Sequence, residues 1–264
     1  MKYKDIIYTK KEGIATITLN RPERRNAFGP EMFESIYKAV EDAAKDDKVR
    51  VLVLTGAGQA FCSGGDVKAM AERVNQPAGG GGESEAEARD GLFSGLFKRF
   101  EKPVIAAING VAAGGGLDLT LACDIRIASD RARFAEVYIR RGLIPAMGGV
   151  YFLPRLIGID RACQLIWTGD MVDAKEAERI GLVTMVVPHE ELESATLELA
   201  EKLAKGPPLA IRKAKRAIYE GLGMDLKSTQ EYVASTNKEL RGTEDHKEGA
   251  RAFVEKREPI FKGK

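Results

Sequence analysis

The chain has 264 residues, 44% of them apolar and 30% charged, and 41 Lys and Arg against 39 Asp and Glu leave a net charge of +2. That length can bury a full core, and so even a balance offers no strong field for nucleic acid or an anionic membrane surface. The three cysteines, Cys62, Cys123 and Cys163, lie far apart with neither Cys-x-x-Cys nor Cys/His metal spacing, which argues against a disulfide scaffold and for thiols kept in a reducing compartment.

No apolar run reaches the roughly 18 residues of a membrane span. The start, Met1-Lys2-Tyr3-Lys4-Asp5, runs into a strand pattern with no signal-peptide core, so the expected location is the cytoplasm. Ile14 to Leu19 alternates apolar and polar residues, the pattern of a strand with one wet face. Pro30 opens a helix whose Phe33, Ile36, Tyr37, Val40 and Ala43 share a face. Val51-Leu52-Val53-Leu54-Thr55-Gly56 reads as a buried strand. It is followed by Phe61-Cys62-Ser63-Gly64-Gly65-Asp66-Val67-Lys68, a glycine turn into a helix start.

Residues 75–87 combine four consecutive glycines, Gly79 to Gly82, with alternating Glu and Ala. The stretch reads either as a lid over a pocket or as a plain surface insertion. A second apolar strand begins at Pro103 and meets three consecutive glycines, Gly114 to Gly116. An amphipathic helical pattern, Leu117-Asp118-Leu119-Thr120-Leu121-Ala122, follows. Farther on, Asp173 and Glu176 mark a helix start and Gly181 its stop. Strand and helix alternate over most of the chain, which predicts an α/β fold. From Glu190 the pattern is mostly helical, and Gly206-Pro207-Pro208 breaks one helix from the next. The expected division is a core over 1–205 and a C-terminal helical region over 206–264.

The glycines at 114–116 place bare N–H groups at a helix N-terminus, where negative charge is stabilised, with Asp118 in the first turn. Such a site suits acyl chemistry through an oxyanion. It equally suits phosphate binding or close packing, but the spacing is neither G-x-G-x-x-G nor a P-loop. A Gly-x-Ser-x-Gly elbow is absent. His189 and His246 fit no triad and read as solvated residues.

The two glycine turns together resemble the crotonase family, the enoyl-CoA hydratase/isomerase superfamily. The resemblance extends to Leu19-Asn20-Arg21-Pro22-Glu23-Arg24-Arg25-Asn26-Ala27, to Ala122-Cys123-Asp124-Ile125-Arg126-Ile127-Ala128, to Leu153-Pro154-Arg155-Leu156-Ile157-Gly158 and to the tail 249–257. It implies a spiral of ββα units with C-terminal helices that join subunits, as a trimer or hexamer. It also implies an acyl-CoA thioester as substrate, with no separate cofactor; the charge balance, the cysteine spacing and the lack of a long apolar run add the expectation of no metal and of neither nucleic acid nor membrane as partner.

By the same resemblance, the backbone N–H groups of Gly65 and Gly115 form an oxyanion hole. Ser63, Asp66, Val67 and Lys68 contact substrate, while Arg24, Arg25, Phe253 and Lys256 reach toward the nucleotide end; each charge also reads as ordinary surface charge. Hydratases of the family carry a glutamate at the position of Asp118 and a second where this chain has Tyr138. Isomerases with an acid in the next Gly-Leu-x-Pro loop are not matched either, since Ala146 and Met147 stand there. If 134–138 is extended, Glu136 and Tyr138 point to one face, so Glu136 is a candidate carboxylate for the site; the other reading is a surface glutamate paired with Arg140. The expected activity is hydration or dehydration of an enoyl- or dienoyl-CoA. The alternatives are double-bond isomerisation, acyl-CoA hydrolysis or decarboxylation, and a non-catalytic acyl-CoA- or RNA-binding member.

Overall fold

The computed structural model describes residues 3–66 and 100–264. The proposed contacts Val67 and Lys68, and the glycine-rich stretch 75–87, lie outside the described residues.

Among the described residues, ten short strands form two sheets. The larger has six, in the order β1 (Ile6–Lys11), β2 (Ile14–Leu19), β3 (Val51–Gly56), β5 (Val104–Ile108), β7 (Ile125–Ser129) and β10 (Met185–Val187). β1 and β2 form an antiparallel hairpin, and every later pair is parallel. The smaller sheet runs β4 (Ala60–Cys62), β6 (Val111–Ala113), β8 (Arg133–Ala135), β9 (Val172–Asp173), and only its last pair is antiparallel.

Parallel strands need crossover connections, and between β2 and β3 a helix supplies it. Helix α1 (Pro30–Lys45) buries Met32, Ile36, Ala39, Val40 and Ala43 on one stripe, with Phe33 and Tyr37 half-buried beside it. Both faces of the large sheet are covered, so all five residues of β5 are buried. The wet face expected for β2 is accordingly missing: Thr16 and Thr18 are half-buried and its other residues fully buried. β2 lies inside the sheet, between β1 and β3.

Helix α2 (Gly115–Ala122) is buried at all eight residues, Asp118 and Thr120 included, and is therefore not amphipathic as its pattern suggested. It packs among β4, β6 and the next helix, α3 (Gly149–Ile157), so no side of it meets water. The chain continues through α4 (Ile159–Thr168) and α5 (Ala174–Arg179). Asp173 caps α5 by accepting from the Glu176 N–H at 2.8 Å, and Gly181 follows in the left-handed region. Helix α6 (Leu192–Lys205) covers one face of the large sheet. Then come three C-terminal helices, α7 (Pro208–Gly221), α8 (Leu226–Arg241) and α9 (Glu244–Glu255). Among the described residues, no helix is long and apolar enough to cross a membrane.

Candidate active site

The two glycine turns meet because β4 and β6 are parallel neighbours, with Ala60 beside Val111 and Cys62 beside Ala112. Both chains leave the sheet at the same edge. Gly64 has φ +88°, and a β-carbon on it would stand 2.6 Å from the Ala113 carbonyl oxygen and 3.3 Å from the Gly115 nitrogen. Only glycine allows that approach.

The Leu19–Phe28 block holds the first turn from below. The Phe28 N–H donates to the Gly64 carbonyl at 2.8 Å, and the Ser63 N–H to the Arg25 carbonyl at 3.0 Å. The buried Asn26 amide donates to the carbonyls of Ala57 and Ala60, at 2.9 and 2.7 Å, and accepts from the Arg21 N–H at 2.8 Å. Arg21 also donates to the Ala27 carbonyl at 2.8 Å and pairs with Asp66 at 3.4 Å.

Helix α2 starts at Gly115, and its first N–H groups have no carbonyl one turn earlier to bond. Asp118 in that turn is 0% exposed. Its Oδ2 accepts from the Tyr138 hydroxyl at 2.8 Å and from the Met147 N–H at 3.1 Å. Its Oδ1 is buried beside the Gly149 backbone and the Glu136 carboxyl, itself 0% exposed.

The two carboxyls converge on Gly149. A β-carbon there would stand 2.2 Å from Asp118 Oδ1 and 3.0 Å from Glu136 Oε1. Burial pushes the Asp118 carboxyl up, and the Tyr138 and Met147 hydrogen bonds hold it partly back. Burial, and then the neighbouring Asp118 charge, push Glu136 much farther up. Two carboxyls so buried and so close do not both ionise at neutral pH, and the pair holds one proton between them.

The extended reading of 134–138 holds only to Ala135. After it the chain turns at Glu136 (φ −91°, ψ 75°) into a 3-10 helix over Val137–Arg141. The Gly114 N–H donates to the Ala135 carbonyl at 2.8 Å, and this bond tethers the turn to the start of α2. Glu136 is therefore not a surface glutamate, and Arg140 faces Asp170 at 3.8 Å instead.

The sequence profile of enoyl-CoA hydratases/isomerases matches residues 9–264. The chain belongs to the enoyl-CoA hydratase/isomerase family. It is 38% identical to a crotonyl-CoA hydratase of Syntrophomonas wolfei, with 99% of each chain covered. It is 36% identical to a trans-2-decenoyl-[acyl-carrier-protein] isomerase of Streptococcus mutans over the whole of both chains. Among solved structures, an enoyl-CoA hydratase from Bacillus anthracis matches with a TM-score of 0.90 at 37% identity, covering 99% of this chain and all of the other.

Within this enoyl-CoA hydratase/isomerase chain, the structure gathers Asp118, Glu136 and Tyr138 in one cluster, beside the joined turns that carry Gly65 and Gly115. Arg24 and Arg25 are exposed, and their carbonyls accept from the Ser63 hydroxyl (3.4 Å) and N–H. Asp66 is held by Arg21. Phe253, 85% exposed on α9, and Lys256, just beyond that helix, make no contact with the acid cluster. His189 is half-buried and bonded to the buried Ser129 hydroxyl at 2.9 Å, so it is not a freely solvated residue; His246 is exposed. Among the described residues, no group of three His, Cys, Asp or Glu side chains is arranged to hold a metal.

Sequence reasoning missed Met147, Gly149 and Asn26 as parts of the site. The Met147-Gly148-Gly149 run carried a signal, since paired glycines after a loop mark close approach, but nothing local shows what approaches.

Proposed function

We propose that the protein adds water to the double bond of a 2-enoyl-CoA thioester, and removes it in reverse. The observation that carries this reading is the pair of adjoining buried carboxyls, Asp118 and Glu136, which hold one proton between them at a helix start. Hydration needs one base for water and one acid for carbon.

In this reading the thioester oxygen accepts from the N–H groups of Gly65 and Gly115. Tyr138 and Met147 occupy Asp118 Oδ2, so Oδ1, on the side of Glu136, is the base. It takes a proton from water as the oxygen bonds C3. The π electrons of C2=C3 move onto the thioester oxygen, giving an enolate that the N–H donors stabilise. Glu136 gives its proton to C2 as the carbonyl re-forms. Asp118 then returns a proton to its neighbour Glu136, and both start states are restored. Arg24 and Arg25, exposed beside the first turn, suit the phosphates of the nucleotide end; Phe253 and Lys256 would reach it from another subunit. No separate cofactor is used, because coenzyme A belongs to the substrate. The exposed Leu226, Phe253, Val254 and Ile260 support a homo-oligomer built through the C-terminal helices.

Isomerisation is the second reading. It is favoured by the one oxygen of Asp118 that Tyr138 and Met147 leave open, because one carboxylate can carry a proton between two carbons. Crotonyl-CoA incubated with the enzyme in oxygen-18 water decides between them. Label in a 3-hydroxyacyl product supports hydration. A 3-enoyl substrate converted to its 2-enoyl isomer without label supports isomerisation.

A further inference from the structure

One side chain near the joined turns has no part in the proton chemistry. A β-carbon on Gly115 would stand 2.8 Å from Met147 Sδ, and 3.2 and 3.4 Å from two atoms of the Phe28 ring. The thioether and the ring therefore crowd the residue whose N–H is assigned to the thioester oxygen. Both side chains are buried.

Met147 is also pinned at its backbone, where its N–H donates to Asp118 Oδ2 at 3.1 Å. The same residue thus touches both ends of the reacting unit. A substrate running from the oxyanion donors at Gly115 to the acids at Asp118 and Glu136 must share this space with its side chain.

The two neighbours differ in freedom. Phe28 is stacked on Phe33 with ring centroids 4.7 Å apart, and its backbone is bonded to Gly64, so the ring is fixed. Met147 has an unbranched, three-torsion side chain that repacks readily. Of the two side chains it is the one that can move.

We infer that Met147 is the specificity-determining residue of the site, its thioether filling the acyl pocket so that short, unbranched enoyl chains are preferred over long or aryl ones. The inference rests on the acyl-CoA reading above. Leucine fills a similar volume and keeps the wall; alanine removes it.

The test measures kcat/KM for crotonyl-CoA, trans-2-decenoyl-CoA and cinnamoyl-CoA with the full-length wild type, Met147→Ala and Met147→Leu. Wild type should favour crotonyl-CoA. In Met147→Ala the decenoyl-to-crotonyl or cinnamoyl-to-crotonyl ratio should rise at least tenfold, the lower end of the roughly 10–200-fold that one methylene is worth in an apolar pocket. Met147→Leu should keep the wild-type ranking. A rise of less than tenfold in both ratios for a folded, active Met147→Ala overturns the inference and leaves the acyl-CoA reading standing. A wild type that prefers decenoyl-CoA overturns it without any variant. A wild type that neither turns over nor binds any of the three takes down both.

Discussion

A β-carbon on Gly149 would stand 2.2 Å from Asp118 Oδ1, so the acid keeps its place only because residue 149 has no side chain. The same β-carbon would meet Glu136 Oε1 at 3.0 Å and the Pro145 β-carbon at 2.8 Å. Gly149 opens helix α3 while Asp118 sits in the first turn of α2, so the fit depends on how two helices pack. Gly149→Ala should leave the circular dichroism native and lower kcat by roughly 10²-fold, the usual cost of displacing a catalytic group by about 1 Å. Turnover within threefold of wild type would show that the carboxyl position is not critical.

Asp118→Asn keeps size and removes the base. The expected loss is roughly 10²–10⁴ in kcat. Glu136→Gln should fall in the same range, and the double variant should lose far less than the product of the two, because the residues act as one unit. Steady-state kinetics on the three proteins check this. Near-full activity of Glu136→Gln alone would leave Asp118 as a single proton carrier and favour isomerisation.

Activity should depend on pH through the pair. Asp118 is pushed up to about 6 by burial, so the acid limb of kcat should lie above the usual carboxylate range. Below it the base is protonated and the rate falls. The alkaline limb is loss of the one proton the pair retains, which burial holds well above the usual carboxylate range. These limbs belong to the coupled pair. Tyr138→Phe removes a hydrogen bond that holds Asp118 down, so the acid limb should move to higher pH, with kcat falling about tenfold or more, as loss of a bond to a charged group implies. An unmoved limb would mean that the hydroxyl does not tune the acid.

The buried Glu136 should cost stability at high pH. Near its ordinary value of 4.5 and below, the carboxyl is protonated in folded and unfolded chains alike. As pH rises from there toward about 10, the unfolded chain releases the proton and the folded chain retains it, so stability falls across that window. Glu136→Gln removes this penalty. Its Tm should exceed that of wild type by several degrees at pH 8 and match it near pH 4. Calorimetry at both pH values checks the sign.

Light scattering at micromolar concentration should give a trimer or a hexamer of the 28.8 kDa chain. A monomer would remove the basis for Phe253 and Lys256 reaching a neighbour's site.

The features legible in the sequence were those written in short stretches. Gly64-Gly65 and Gly114-Gly115-Gly116 each follow an apolar strand, and Asp173 with Glu176 spells a helix start; their consequences are local, and the structure has them in place. The order of the blocks identified the family before any coordinate was known. Tertiary structure alone decided the rest. β2 alternates as a half-wet strand would, yet it is covered on both faces, because a sequence pattern does not reveal which strands flank it. Glu136 carries a charge-bearing side chain two residues from Tyr138, and the period of an extended strand places it no more firmly inside than outside. Its burial comes from the turn after Ala135 together with two contacts between separate segments, the tether to Gly114 and the close approach of Gly149. A carboxyl's proton affinity follows from what surrounds it, and only the folded chain brings Asp118 and Glu136 together away from bulk solvent.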